Sequence, residues 1–498
     1  MIDKINRVIR WFSGSLIALV TVALFFLVIV LLTLTVALGY LWLPNNTAMA
    51  HKSLPVAYKG GITVGVRQPE KSNPPTPPPI IVRSRATSTT ITLEPDEADW
   101  LDSIDNQQSI EREGSSEAPI PPDLGRVVPA PGITYYRTKR TIAGGEAIFN
   151  VLEIADVTDP RIKLKVSLPK GQVQANERVT DHMIRNGPNV VAAINGDFYD
   201  IGKTYGGVTI NMQMQDGQLV RTNEGLRPAF GIGRDGTPLI GVPSTNGSLT
   251  IGNQSVPIYH INYGPGEDRA LRRDWLVLWT PTFGPNTESW TDPAAVAVVV
   301  RGLGTPLPLK PNVSYTGTVE QLVEGAGNLA IPLDGVVLHG RGTMADFLRR
   351  NATIGSVLSF KVEMDEPWAS ATQIIGGCNR LLVDWVIVKA AETDCAKYER
   401  DPRLPRTAIA FEGKHLWLVT VDGRQPKYSV GANNDEFAQF LLDLGARHAL
   451  NLDGGGSTTF AIRQDGKPLI VNRPSDGQER PIANALLVLV NGAELQAR

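Results

Sequence analysis

The chain has few of the residues that build metal and thiol centres. Of its 498 residues only two are cysteines and six are histidines. The histidines form neither an HxH nor an HExxH pair, so a zinc site is not expected. They are scattered along the chain as His51, His182, His260, His339, His415 and His448. A G-x-S-x-G segment is also missing, which argues against a serine hydrolase of the α/β-hydrolase type.

The sequence also lacks an excess of one charge. Its formal net charge is −2, and no basic patch is interleaved with aromatic residues. Proteins that bind nucleic acid usually carry such a patch to neutralise phosphates. Nucleic acid is therefore not an expected partner.

Charged residues are absent from Leu16 to Leu43. This run exceeds the roughly 20 apolar residues that a helix needs to cross a bilayer. Lys4, Arg7 and Arg10 precede it, and basic residues tend to stay in the cytoplasm. The pattern predicts a cytoplasmic tail at 1–15 and a single anchor at 16–43 in the plasma (inner) membrane, with the main domain extracytoplasmic or periplasmic. Cleavage after Ala48-Met49-Ala50, as in a secretory signal, is the alternative.

Residues 44–131 differ in composition from the rest of the chain. They include Pro74-Pro75-Thr76-Pro77-Pro78-Pro79 and Pro119-Ile120-Pro121-Pro122. Such a segment cannot bury enough apolar surface to offset its ordering entropy, which predicts an extended, disordered linker. Residues 132–498 then form the globular part.

Alternating apolar residues in this globular part predict many short strands. The predicted strands are Phe149–Ile154, Ile162–Val166, Trp275–Trp279, Val296–Val300, Val357–Val362, Ala408–Phe411 and Ala485–Val490. Helices are predicted at Met344–Arg350 and after Asn433 or Asn434, where Phe437, Phe440, Leu441 and Leu444 share one face and Gly445 ends the helix. The fold class is α+β and strand-rich.

The two cysteines, Cys378 and Cys395, both lie in this part of the chain. In an oxidising compartment they would form a disulfide worth about 3 kcal/mol in the chain-entropy model. Free or metal-binding thiols are the less favoured alternative, because no His/Cys cluster accompanies them.

The most informative segment is Leu450-Asn451-Leu452-Asp453-Gly454-Gly455-Gly456-Ser457. A carboxylate leaves an apolar run and is followed by three glycines. Glycine runs are tolerated where the backbone needs positive φ or must approach a ligand closely, and their N–H groups can cradle an anion. A plain Asp-Gly turn is the alternative, but it leaves Gly455 and Gly456 unexplained.

Four further polar groups stand apart from the strand patterns. Asn195-Gly196-Asp197-Phe198 follows a strand and suits sugar binding, although Asn-Gly alone also makes a hairpin turn. Arg406-Thr407 opens a strand, where an arginine can bind phosphate or simply be solvated. Val421-Asp422-Gly423-Arg424 fits a functional site and, equally well, a plain Asp-Gly turn. The fourth group, Asn472-Arg473-Pro474 through Glu479-Arg480-Pro481, is a polar loop that can line an anion pocket.

Together with Gly376-Gly377, Leu381-Leu382 and Ser429-Val430-Gly431, these groups resemble the phosphodiester glycosidase family in order and spacing. The resemblance covers roughly residues 132–492. Two departures are Asp197 and Tyr199, where many members have Gly and Phe, and Cys378-Asn379-Arg380, where a proline often follows Gly-Gly.

The resemblance implies hydrolysis of a sugar-1-phosphate diester in a phosphorylated or phosphodiester-linked glycan, with no required cofactor. It implies Asp453 as general base or nucleophile, with Glu479 as second carboxylate. Asp197 is a catalytic or sugar-binding candidate. The phosphate would contact Arg406, Arg480 and the amides of Gly454, Gly455 and Gly456, and the sugar hydroxyls would contact Asn195 and Asn472. Thr407, Asp422, Ser457 and Arg473 complete the implied substrate-binding set.

Two other classes of function stay open at this point. One is a non-catalytic polysaccharide-binding module displayed at the membrane. The other is a metal-dependent phosphodiesterase that uses Asp197, Asp422 and Asp453 as oxygen ligands for Ca²⁺ or Mg²⁺, although the spacing is not that of an EF-hand. A structural Ca²⁺, the sugar and the oligomeric state are not determined by the sequence.

Overall fold

The computed structural model describes residues 119–201, 207–222, 227–263, 274–287, 293–325, 327–389 and 402–491. Strands dominate these residues, so the strand-rich part of the fold prediction is confirmed. The first thirteen strands are β1 (Arg126–Ala130), β2 (Ile133–Ile142), β3 (Gly145–Ile154), β4 (Ile162–Ser167), β5 (Val190–Asn195), β6 (Gln213–Gln215), β7 (Gln218–Arg221), β8 (Ala229–Ile232), β9 (Pro238–Gly241), β10 (Thr245–Ile251), β11 (Gln254–Ile258), β12 (His260–Ile261) and β13 (Trp275–Trp279).

The other thirteen strands are β14 (Val296–Arg301), β15 (Ser314–Glu324), β16 (Val336–Arg341), β17 (Val357–Met364), β18 (Gln373–Gly376), β19 (Arg380–Val383), β20 (Val386–Ile387), β21 (Arg406–Glu412), β22 (His415–Val421), β23 (His448–Asn451), β24 (Phe460–Gln464), β25 (Lys467–Ile470) and β26 (Ala485–Val490). The described α-helices are α1 (Val179–Arg185), α2 (Thr343–Asn351) and α3 (Asn434–Asp443). Short 3₁₀ turns lie at Pro169–Gly171 and Gly455–Ser457.

The strands form four sheets. Sheet I has the order β1-β2-β3-β22-β21-β23-β19-β20, and sheet II the order β11-β10-β17-β15-β14-β16-β13-β12. Sheet III is β7-β6-β18-β8-β9, and sheet IV is β25-β24-β5-β26-β4. Among these strands neighbours pair antiparallel, except that β12 and β13 are parallel.

Sheet I is covered on both faces. One face packs against sheet IV through residues such as Ile409 and Leu450 on sheet I and Ile194 on sheet IV. The opposite face packs against α3, where the rings of Phe149 and Phe440 stack with their centroids 3.8 Å apart. The central strands of sheet I are therefore apolar on both faces and positioned rigidly, which fixes the loops at their ends.

All the strands and both helices predicted from periodicity are present. Helix α3 begins with a capping box, because the side chain of Asn433 accepts from the Glu436 N–H at 2.8 Å and the Glu436 carboxylate accepts from the Asn433 N–H at 3.1 Å. Gly445, with φ of 95°, follows its end.

The predicted boundary between linker and domain is wrong by several residues. Strand β1 lies within the predicted linker and pairs with β2 through Val127 and Tyr135. Proline suggested a linker there, but β1 is the edge strand of sheet I, and an edge strand tolerates Pro129 because one side of it needs no N–H donor. The rest of the predicted linker, 44–118, lies outside the described residues.

No helix in the described ranges between 119 and 491 is long and apolar enough to span a bilayer. The predicted anchor at 16–43 lies outside those ranges and stays a prediction.

Candidate active site

The polar groups found in the sequence converge at one edge of sheet I. Arg406 at the start of β21 pairs with Val421 at the end of β22, and Ala408 pairs with Asn451 at the end of β23. The end of β5 in sheet IV reaches the same edge, where the Thr407 hydroxyl donates to Asn195 Oδ1 at 2.7 Å. Residues distant in sequence therefore surround the segment that begins at Asp453.

Asp453 is partly exposed at this edge. Its N–H donates to the Gly196 carbonyl at 3.0 Å. Burial raises the pKa of its carboxyl to about 6, against a hydrogen bond from Ser457, the charge of Arg480, the Gly454 N–H and the charge of Arg424. A carboxylate with a pKa near neutrality that is open to solvent suits proton transfer at physiological pH.

Asn195 positions Asp453 instead of contacting a sugar. Its side chain is fully buried, its Nδ2 donates to the Asp453 carbonyl at 2.7 Å, and its Oδ1 accepts from Thr407 and from the Thr459 N–H at 3.1 Å. These contacts occupy both groups inside the protein, which does not support the predicted sugar contact of Asn195 or the predicted substrate contact of Thr407.

The glycine run lets the backbone of residues 454–455 lie close against the Pro405 carbonyl. The Gly454 N–H donates to Asp453 Oδ1 at 2.8 Å and the Gly455 N–H to the Pro405 carbonyl at 2.8 Å. Gly455 has a φ of 60°, and a Cβ on Gly454 would lie 2.7 Å from the Pro405 carbonyl oxygen. These internal bonds do not support the prediction that the Gly454 and Gly455 amides hold phosphate, and for Gly456 it stays a prediction.

Arg480 approaches the same carboxylate from the loop before β26. Its Nε donates to Asp476 Oδ2 at 2.8 Å, and a Cβ on Gly456 would overlap both partners of this ion pair. Burial lowers the pKa of Arg480, but the charges of Asp476, Tyr199 and Asp453 outweigh it and raise the pKa. Arg480 thus keeps its predicted place beside Asp453, held by Asp476 and the bare backbone of Gly456.

Arg424 is a site residue that the sequence-based assignment missed. It lies beyond the end of β22 with a φ of 59°, is partly exposed, and its charge lowers the pKa of Asp453. Positive φ at a residue other than glycine is uncommon and tends to occur at functional sites. The Asp422-Gly423-Arg424 turn was the available signal, but a sequence does not show which turn residue faces the carboxylate.

Asp422 lies beneath the site with no exposed surface. Its Oδ1 accepts from the Arg473 N–H at 3.0 Å and from Asn472 Nδ2 at 3.2 Å. The Asn472 Oδ1 accepts from the Phe460 N–H at 2.7 Å. Burial raises the pKa of Asp422 to about 7. Asp422, Asn472 and the backbone of Arg473 hold the loops together, and the predicted substrate contacts of Asp422 and Asn472 stay predictions.

Asp197 is buried and has hydrogen-bond partners different from those of Asp453. Its Oδ1 accepts from Asn211 Nδ2 at 2.6 Å and its Oδ2 from the Asn211 N–H at 3.0 Å. Burial raises its pKa to about 7, against these hydrogen bonds and the charges of Arg221 and Arg227. Only 2% of the residue is exposed, which does not support the predicted catalytic or sugar-binding role.

Glu479, the predicted second carboxylate, is bound to the first turn of α1. It accepts from the Thr180 N–H at 2.8 Å and from the Thr180 hydroxyl at 2.7 Å, which satisfies the first turn of α1. Arg406 is also committed internally, since it donates to the carbonyls of Ala432 at 2.7 Å and Pro402 at 3.0 Å. These internal contacts, to helix α1 for Glu479 and to neighbouring loops for Arg406, do not support the two predicted roles.

Arg473 is 7% exposed, and its guanidinium lies over the Tyr428 ring, 5.2 Å from the centroid. Its predicted substrate contact stays a prediction. Ser457 is also buried and hydrogen-bonds to Asp453 and Tyr199, so it acts on the carboxylate and not on substrate.

The residues that the structure describes contain no group of three His, Cys, Asp or Glu side chains that could hold a metal ion. Asp197, Asp422 and Asp453, the ligand set of the metal-dependent alternative, each have separate hydrogen-bond partners, as given above, and that alternative stays a prediction. Cys378 is disulfide-bonded. Cys395, the only other cysteine, lies outside the described residues.

The buried aspartates predict an unusual dependence of stability on pH. The folded-state pKa values of Asp197 and Asp422 are raised to about 7 and that of Asp453 to about 6. Their stabilising contributions are present at low pH and are lost as the pH rises through these values. His182 has the opposite effect on stability, because burial lowers its pKa to about 4. Its contribution to the free energy of unfolding rises with pH and becomes constant above about 6.5, the ordinary pKa of histidine.

Between about pH 5 and 7 we therefore expect the free energy of unfolding to fall, by up to about 1.4 kcal/mol per pH unit for each proton that the folded chain holds and the unfolded chain has lost, and to level off above pH 7. Chemical denaturation of the full chain at a series of pH values measures this slope. Asp422→Asn should reduce it, whereas Asp465→Asn, at an exposed turn, should leave it unchanged. A slope unaffected by Asp422→Asn would show that Asp422 is ionised throughout.

Comparison with known proteins adds to this geometry. Residues 313–489 match the model of the phosphodiester glycosidase family. None of the curated proteins matches the chain. A hypothetical protein from Synechocystis is similar in structure, with 22% identity and a TM-score of 0.58 over 72% of this chain and 62% of that chain. The chain thus spans less than two thirds of that relative.

A protein of Burkholderia pseudomallei K96243 described as exported shows 25% identity and a TM-score of 0.54 over 70% of this chain and 76% of that one. The zebrafish N-acetylglucosamine-1-phosphodiester alpha-N-acetylglucosaminidase catalytic domain, auto-inhibited by its pro-peptide, shows 16% identity over 76% of this chain and 88% of that chain. Its TM-score of 0.39 does not establish a shared fold. The resemblance read from the motifs is nevertheless confirmed by the family model over residues 313–489, and this segment is similar to phosphodiester glycosidases.

Proposed function

We propose that this protein is a membrane-anchored, extracytoplasmic hydrolase that cleaves a sugar-1-phosphate diester in a glycan or exopolysaccharide. The observation that carries the proposal is Asp453, a partly exposed carboxylate with a pKa of about 6 beside Arg480 and Arg424. The apolar run at 16–43 supports the anchor. The exported relative from Burkholderia supports a location outside the cytoplasm.

The chemistry follows from the leaving group. Water, activated by Asp453, attacks the anomeric carbon, the bond from that carbon to the phosphate oxygen breaks, and the electron pair stays on the phosphate. A phosphate monoester leaves readily without a proton, whereas the alkoxide of a simple glycoside needs a general acid. One carboxylate therefore suffices, which agrees with Glu479 being bound to Thr180.

The two arginines have a defined task in this mechanism. Negative charge accumulates on the phosphate oxygens as the bond breaks, and fixed cations stabilise that charge most effectively where water is restricted. Arg480 is held in place by Asp476, so it needs little reorganisation during the reaction. Asp453 acts either as base, giving inversion at the anomeric carbon, or as nucleophile, giving retention.

The test is a substrate panel with the full chain in detergent. Glycosyl-1-phosphodiesters and matched simple glycosides are incubated with and without EDTA, and free sugar and its anomeric configuration are followed. We expect release from the diesters only, insensitive to EDTA. Release that EDTA abolishes would favour the metal-dependent alternative, and saccharide binding without release would favour the binding module.

A further inference from the structure

The hydroxyl group of Ser457 lies between two groups that compete for its single hydrogen. Ser457 is 1% exposed and hydrogen-bonds to both the Asp453 carboxyl and the Tyr199 hydroxyl. Tyr199 is also buried, and its own hydrogen is donated to the Pro481 carbonyl at 3.1 Å. The phenolic oxygen of Tyr199 is therefore an acceptor for Ser457.

A serine hydroxyl has one hydrogen to donate and can accept through its lone pairs. When Asp453 is ionised it can only accept, so the Ser457 hydrogen points to the carboxylate. When Asp453 is protonated, the carboxyl O–H donates to Ser457 Oγ, and the Ser457 hydrogen turns to Tyr199. In both protonation states of Asp453 the hydroxyl groups of Ser457 and Tyr199 keep hydrogen-bond partners. A Ser457 hydrogen fixed on one partner would not achieve this.

We propose that Ser457 is a positioning residue whose hydroxyl hydrogen switches from Asp453 to Tyr199 when Asp453 takes up a proton. Each protonation state of Asp453 then keeps the carboxyl in the same orientation toward substrate. This inference rests on the proposed role of Asp453 in hydrolysis, but the switch itself is a property of the resting protein.

The charged groups that face this switch come from two loops. Arg480, with its partner Asp476, approaches from the loop before β26, and Arg424 from the loop after β22. Arg480 also hydrogen-bonds to the Tyr199 hydroxyl. Both arginines favour the carboxylate form, while burial favours the protonated form. The balance lets both states of Asp453 be populated near neutral pH, so the hydroxyl has two positions to occupy.

The proposal predicts opposite effects of two neighbouring deletions. Ser457→Ala removes a donor to the carboxylate and should raise the pKa of Asp453 by about 1, because hydrogen bonds to charged groups are stronger than neutral ones. Tyr199→Phe removes the alternative acceptor, leaves the Ser457 hydrogen directed at Asp453, and should lower that pKa. A purely structural role predicts no such opposition.

The measurement is a ¹³C NMR titration of the full chain labelled with [4-¹³C]aspartate, with the Asp453 signal assigned by Asp453→Asn. Thr458→Val is the matched control, because it removes an adjacent buried hydroxyl that has no hydrogen-bond partner among the described residues, and it should leave the pKa unchanged. Ser457→Thr keeps the hydroxyl and should restore a pKa close to that of the unmodified chain.

Shifts of the same sign in Ser457→Ala and Tyr199→Phe, or an unshifted Ser457→Ala, would overturn the switch. The titration reads the carboxyl itself, so it remains decisive if the protein hydrolyses no tested diester. Absence of hydrolysis with opposite pKa shifts would reject the proposed function and keep the switch. Hydrolysis without those pKa shifts would support the proposed function and reject the switch.

Discussion

Asp453→Asn is expected to lower kcat for a glycosyl-1-phosphodiester by about 10³-fold or more. Asparagine has nearly the same shape and can still accept the Gly454 N–H, but it can neither take a proton from water nor act as a nucleophile. The backbone of residue 453 keeps its bonds to Asn195 and Gly196, so the fold should survive. Steady-state rates of sugar release and a thermal unfolding profile check both statements.

The matched control is Asp465→Asn, the same change at an exposed turn between β24 and β25, which should retain full activity. The rate of the unmodified chain should rise with pH through about 6, because the ionised form of Asp453 is the active one and its pKa is about 6. Diester hydrolysis by Asp453→Asn at an undiminished rate would remove Asp453 from the mechanism.

Arg480→Gln is expected to lower kcat/KM for the same diester by about 10³-fold. Glutamine keeps a hydrogen-bond donor near Asp476 but removes the cation that stabilises the departing phosphate, and losing one preorganised group of this kind typically costs 10²- to 10³-fold. The pKa of Asp453 should also rise, since the charge of Arg480 lowers it. Steady-state kinetics over a range of pH measures both effects.

Gly456→Ala tests the position of the Arg480 guanidinium while leaving its charge unchanged. A methyl group on Gly456 would overlap the Arg480–Asp476 pair, so the arginine must move, and displacements of this size cost about 10²-fold. Arg447→Gln is the matched control. Its ion pair with Asp384 lies beyond the opposite end of β23 from Asp453, and its loss should leave hydrolysis unchanged. An active Arg480→Gln together with an active Gly456→Ala would exclude Arg480 from phosphate binding.

Much of the fold is readable from local pattern. The alternating residues of β13, β14 and β17 and the apolar stripe of α3 determine their own conformations, because each buries one or both faces over a short stretch. The position of Asp453 at a strand end before three glycines is also local information. Strand β1 was missed because its Pro129 is tolerated only at a sheet edge, and a sequence does not show which strand is at the edge.

The role of each polar residue was decided by the tertiary structure. Asn195, Asn472, Arg406 and Glu479 have the residue types of a binding site, yet their hydrogen-bond partners lie inside the protein. Asn195 reaches Asp453 across 258 residues of sequence, a separation that no local pattern encodes.

The sequence by itself therefore determined the strands and the capped helix, and it carried the family resemblance and the proposal of Asp453 as leading carboxylate, since these depend on neighbours along the chain. Tertiary packing alone determined that Arg480, Arg424, Tyr199 and Ser457 surround that carboxylate. Buried polar groups must find partners, and only the folded chain brings those partners within hydrogen-bonding distance.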